Sequence, residues 1–137
     1  MLNSSVLKSW CQKNQIDLCI LFGSSVAGRV HARSDVDIAL YAKKKDLLNH
    51  KLRLIGELED IIEKTVDLMV LHPDMSPLLR HEIMTKGISL YISDRDIYIE
   101  QKIYAIKLYE DVPFLKKWQD LSLSVKLKKL KDATSGY

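Results

Sequence analysis

The chain has 137 residues, of which 47% are apolar and 28% charged, and it carries a formal net charge of +3. That length can bury a core without disulfide or metal staples, and the composition is that of a folded globular domain rather than a disordered chain. The charge is too small to argue for nucleic-acid binding, and direct nucleic-acid binding is not expected. Cys11 and Cys19 form no CxxC pair and lie near no histidine at zinc spacing, so both read as small core residues. No apolar stretch approaches the ~20 residues that span a bilayer, and no secretory leader follows Met1. A cytoplasmic protein without membrane contact is expected.

In chain order, Asn3-Ser4-Ser5 can cap a helix over residues 4–13. Ile16 to Phe22 is almost continuously apolar and ends at Gly23, the pattern of a buried strand. Residues 23–30 read as a turn into a short helix. Asp35 to Tyr41 alternates, with Asp35, Asp37, Ala39 and Tyr41 on one face and Val36, Ile38 and Leu40 on the other. Lys43-Lys44-Lys45 then marks solvent. From Asp46 to about Lys64, Leu47, Leu48, Leu52, Ile55, Leu58, Ile61 and Ile62 recur at helical spacing. Thr65 to Leu71 is a further strand, interrupted by Asp67. Ser76 is placed to cap a helix through Lys86, with Gly87 at its C′ position, and Ile88 to Ile92 is a short strand. Asp94 to Tyr109 is expected to be helical, with Ile99, Ile103 and Ile106 as its apolar stripe. After Pro113, Phe114 to Leu130 carries two apolar stripes among lysines. This order implies a single α/β (α+β) domain, with a small mixed central sheet flanked by helices. Residues 1–92 would form a catalytic core, and 93–137 a C-terminal helical extension that packs on the core or docks a partner.

The chemistry concentrates in three places. Asp35 and Asp37 are two apart on a strand, so both side chains project from one sheet face. Two neighbouring carboxylates repel, and a divalent cation removes that penalty. Asp67 is a lone carboxylate in an apolar strand, costly unless something pairs with it. If its strand lies beside the first, three carboxylates share a face and can hold two magnesium ions. Gly23-Ser24 follows the buried strand. The glycine permits a tight turn and close backbone approach, and the Ser24 hydroxyl can donate to a phosphate oxygen.

Taken together, a buried strand, Gly23-Ser24, ten intervening residues, and Ser34-Asp35-Val36-Asp37-Ile38-Ala39-Leu40 form one pattern. It resembles the signature of the DNA polymerase β-like nucleotidyltransferase superfamily. The small size and the strand Val66-Asp67-Leu68-Met69-Val70-Leu71 resemble its minimal (MNT) branch, over roughly residues 15–92. The resemblance implies that fold, with Asp35 and Asp37 as metal ligands and Asp67 as a third acidic group that bridges metal or acts as base. It also implies Gly23 and Ser24 as holders of the triphosphate, with Mg2+ and ATP as cofactor and donor. One departure stands out: relatives commonly carry arginines just after Gly-Ser, whereas this chain reads Ser25-Val26-Ala27-Gly28 before Arg29.

The motif does not specify the acceptor. Stand-alone MNT proteins of this size resemble the antitoxin of type VII HEPN/MNT toxin–antitoxin pairs. That resemblance implies transfer of AMP from Mg-ATP to a tyrosine hydroxyl of a HEPN ribonuclease toxin, which neutralises it. The alternatives are a binding-only antitoxin that masks its partner sterically, and a small-molecule (aminoglycoside-type) nucleotidyltransferase. The second would need an extra acidic cluster for a cationic acceptor, and none is evident. His31, His50, His72 and His81 lack metal-ligand spacing and read as structural or surface residues. Lys43 to Lys45 read as a solvated charge run, and Arg80 as a surface residue of its helix.

Overall fold

The computed structural model describes residues 4–23 and 35–111. Ser24, the 25–34 gap and the segment after Asp111 lie outside the described residues, and with them the short helix expected after Gly23 and the lysine-rich helix expected near 114–130.

The described helices are α1 (Ser4–Lys13), α2 (Lys51–Ile62), α3 (Pro77–Lys86) and α4 (Arg95–Glu110), with a 3-10 turn at Leu48–His50 leading into α2. The strands are β1 (Leu18–Phe22), β2 (Val36–Tyr41), β3 (Val66–Val70) and β4 (Ile88–Ile92). They form one mixed sheet in the order β3-β2-β1-β4. β1 runs antiparallel to both β2 and β4, whereas β2 and β3 are parallel and joined through α2. A parallel pair needs such a crossover, because no tight turn can return the chain to the same end of the sheet.

Strand alternation divides the core into two layers. Val36, Ile38 and Leu40 of β2 pack with Val66, Leu68 and Val70 of β3 against Leu7 and Trp10 of α1 and Leu54 and Leu58 of α2. On the opposite face, Leu18, Ile20 and Ala39 pack against Ile83 and Met84 of α3 and Ala105 of α4. Cys11 and Cys19 are fully buried and unpaired as a disulfide, as expected of core thiols. The Cys11 hydrogen bond, then burial, pushes the Cys19 thiol well above its ordinary value.

Polar contacts hold the layers in register. Trp10 Nε1 donates to Glu57 Oε1 at 2.8 Å, and Arg53 bridges Glu57 (3.0 Å) and Asn14 Oδ1 (3.2 Å), which ties α1 to α2. At one end of the sheet Asp17 accepts the Lys43 N–H (2.7 Å) and the Ser93 hydroxyl (2.9 Å), so one side chain anchors the chain just beyond β2 and β4.

Three expectations are corrected. In α2 the fully buried positions are Leu54 and Leu58, while Leu52 is 87% exposed, because Leu54 rather than Leu52 shares a face with Leu58 in the helical period. In α4 the expected stripe points outward: Ile99 and Ile103 are 40% and 48% exposed, and Ala105 and Tyr109 are buried instead. That helix packs on α3 through mixed contacts, including the His81 ring stacked on Tyr109 at 4.2 Å, so apolar periodicity did not mark its inner face. Gly87 ends α3 in an extended conformation (φ −71°) rather than a left-handed one. Its requirement is space, since a Cβ there would overlap Ile20 Cγ2 and the Ile83 carbonyl oxygen. Ser76 does cap α3, its Oγ accepting the Leu79 N–H at 3.3 Å.

Candidate active site

The end of β1 and the starts of β2 and β3 meet at one end of the sheet. Asp37 of β2 lies opposite Phe22 of β1 on one side and opposite Asp67 of β3 on the other. In the parallel β2–β3 ladder the two aspartates are thus register partners, with side chains on the same sheet face. The face is the one that α3 and α4 cover further along. Ala39, one step on from Asp37, is fully buried there, whereas Asp37 is half-buried and Asp67 exposed. Among the described residues, helical cover therefore stops short of the carboxylates. Asp35, just before β2, is also exposed.

Gly23 completes this end. It directly follows β1 and has φ +76°, a left-handed conformation that glycine adopts without a steric penalty. A Cβ there would overlap Asp37 Oδ2 and come within 2.9 Å of its Cγ. The missing side chain at Gly23 is what lets the Asp37 carboxylate sit against the β1 turn.

Two backbone bonds set the level of the aspartates. The Val36 N–H donates to the Thr65 carbonyl at 2.8 Å, and the Val66 N–H donates to Glu59 Oε2 at 2.9 Å. Glu59 sits on α2, so the helix that links the two strands also fixes where β3 begins. Nothing in the one-dimensional pattern singles out Glu59, whose role depends on the α2–β3 turn.

The structure therefore brings Gly23, Asp37 and Asp67 together. No three acidic, histidine or cysteine side chains among the described residues are gathered closely enough to hold a metal ion. The donor set nevertheless suits a hard divalent cation, which takes carboxylate oxygens and substrate phosphates. His50 and His72 lie away from this end, and His81 packs in the α3–α4 seam, its ring pushed by burial toward the neutral form. Arg80 is corrected from surface to core, being only 2% exposed. The signal was its i, i+3, i+4 spacing to Ile83 and Met84, which places it on the buried side of α3.

No helix among the described residues is long and apolar enough to cross a membrane. No match to a curated protein sequence was found. The chain resembles several solved structures. A chain of a toxin–antitoxin complex with AMP-PNP superposes with a TM-score of 0.71 at 24% identity, covering 89% of this chain and 98% of that one. A MntA–HepT toxin–antitoxin complex gives 0.64 at 20% identity, with 88% and 95% covered. A complex of tri-AMPylated Shewanella oneidensis HEPN toxin with MNT antitoxin gives 0.63 at 20% identity, with 88% and 94% covered. These likenesses establish the fold. The family described as "Polymerase beta, Nucleotidyltransferase" matches residues 6–96, a span that contains the Gly23 turn, all three aspartates and the whole sheet. The chain belongs to the polymerase β nucleotidyltransferase family.

Proposed function

We propose that the protein is the antitoxin of a HEPN/MNT pair and acts as a protein adenylyltransferase, moving AMP from ATP to a tyrosine hydroxyl of a HEPN ribonuclease partner. The observation that carries the chemistry is the register pairing of Asp37 with Asp67 on an open sheet face beside the Gly23 turn. The choice of acceptor is supported by the structural likeness to chains of toxin–antitoxin complexes, one with AMP-PNP and one with a tri-AMPylated HEPN toxin. Ile99 and Ile103 leave apolar surface on α4 for such a partner. The reading places the protein in the cytoplasm with its toxin.

In this reading Asp35, Asp37 and Asp67 would hold magnesium, which would supply neutralisation of the triphosphate charge. Gly23 admits a phosphate close to the backbone, and Ser24 donates its hydroxyl to it. Asp67, on the solvent side of the pair, takes the proton of the incoming tyrosine hydroxyl. The phenolic oxygen forms a bond to the α-phosphorus, the α–β phosphoanhydride breaks, and pyrophosphate leaves with the bonding electrons. Most of the rate enhancement is positioning plus charge neutralisation.

The test is the intact mass of the partner after incubation with this protein, magnesium and ATP. A gain of one or more adenylyl groups, lost with Asp35→Asn/Asp37→Asn, is the expected result. A partner that stays unmodified while bound and neutralised would overturn the enzymatic reading in favour of steric masking.

A further inference from the structure

At the other end of the sheet lies a cavity of about 450 Å³ that the transfer chemistry does not use. It opens where β2 and β3 finish, four residues along β2 from Asp37, a separation of about 13 Å at the usual strand rise. Its charged lining is three cations, Arg80 of α3 and Lys43 and Lys45 after β2, against one carboxylate, Asp46; His72 after β3 and Gln101 and Tyr104 of α4 add polar groups.

Arg80 is the unusual member. It is 98% buried, yet it makes no ion pair with a carboxylate among the described residues. Its Nη2 donates to the His72 carbonyl at 2.5 Å, its Nη1 to Gln101 Oε1 at 3.3 Å, and its guanidinium lies 5.0 Å from the Tyr104 ring centroid. Its buried Nε has no hydrogen-bond partner among the described residues. Among the described residues only neutral groups hold this buried guanidinium, and its desolvation is a cost that an anion would offset. His72 Nδ1 accepts the Asp74 N–H at 3.2 Å, which fixes the ring beside the cavity. The one carboxylate in the lining, Asp46, already accepts from the Leu48 N–H at 3.1 Å and from the Asn49 amide. Leu47, Leu48, Val70 and Pro73 supply an apolar wall.

We propose that this cavity is a second binding site, separate from the aspartates, for a small phosphate monoester with an apolar or aromatic body. The phosphate sits toward Arg80, with Lys43 and Lys45 at the mouth, and the body of the ligand lies along the apolar wall. Two lysines beside a buried arginine match the near-double negative charge of a phosphate monoester at neutral pH better than a single carboxylate.

Amide-resolved NMR titration of the full chain with inorganic phosphate, AMP and adenosine, without divalent cation, tests this. The expected result is saturable shifts at Lys43, His72, Gln101 and Tyr104, tighter for AMP than for phosphate and absent for adenosine. Lys43→Ala/Lys45→Ala, at positions open enough to leave the fold intact, should weaken AMP at this site about tenfold, read at His72 and Gln101. Arg80→Gln should abolish it. Shifts confined to the surroundings of Gly23, Asp37 and Asp67, equal response to adenosine, or unchanged affinity in the double lysine variant would overturn the proposal. None of these outcomes depends on whether the protein transfers a nucleotide.

Discussion

Gly23→Ala is the most informative single change, because structure and chemistry set its cost separately. Alanine at φ +76° incurs the left-handed penalty, about 1–2 kcal/mol. For a chain of this size that lowers Tm by about 3–10 °C. The new methyl also meets Asp37, whose Cγ would lie 2.9 Å away and whose Oδ2 would overlap it. To reach ordinary contact at about 3.5 Å the carboxyl carbon must retreat by about 0.6 Å, and the nearer oxygen by more. Misplacing a reacting group by about 1 Å costs about a hundredfold in rate. The variant should therefore remain folded below its new Tm and lose about two orders of magnitude in nucleotide transfer to the partner. Gly56→Ala is the matched control. It lies within α2 with nothing within 4 Å of the added Cβ, and should gain about 1 kcal/mol of stability with transfer unchanged. Scanning calorimetry and a labelled-ATP transfer assay on both variants decide the matter. Transfer by Gly23→Ala within about twofold of the parent would refute the claim that Gly23 positions Asp37.

Other outcomes follow from the packing and the titrating groups. Leu54→Ala, in the floor of the α1–α2 layer, should cost about 2–5 kcal/mol by denaturant unfolding, whereas Leu52→Ala, 87% exposed, should stay within about 0.5 kcal/mol. Burial lowers the His81 pKa below its ordinary 6.5, so its contribution to stability is intact above that pH and is lost as pH falls through the lower folded-state value. His81→Phe should flatten the fall of Tm between about pH 7 and pH 5, and a profile parallel to the parent's would contradict this. Cys11 and Cys19, both buried and with the Cys19 thiol pushed up first by its Cys11 hydrogen bond, should resist a thiol reagent until denaturant unfolds the chain. Rapid labelling of the native protein would contradict that packing.

Much of this was legible before any fold. Local hydrophobic period marked the four strands and the described helices within a few residues, and strand parity alone put Asp37 on the face opposite Ile38 and Leu40. The Gly23-Ser24 and Asp35-Val36-Asp37 spacing carried the family, because those residue types serve the chemistry wherever the chain delivers them. Other features belonged to the tertiary structure, for a physical reason: they depend on which elements become neighbours. Strand order placed Asp67 opposite Asp37, and the residue after β1 faced Asp37 closely enough to require no side chain. Helix–helix contact turned Ile99 and Ile103 outward and drew Arg80 inward, against what apolar spacing and charge suggested. A one-dimensional pattern records what each residue prefers on average. Which Asp faces which, and which cation is drawn into the interior, is decided only when segments distant in the chain pack together.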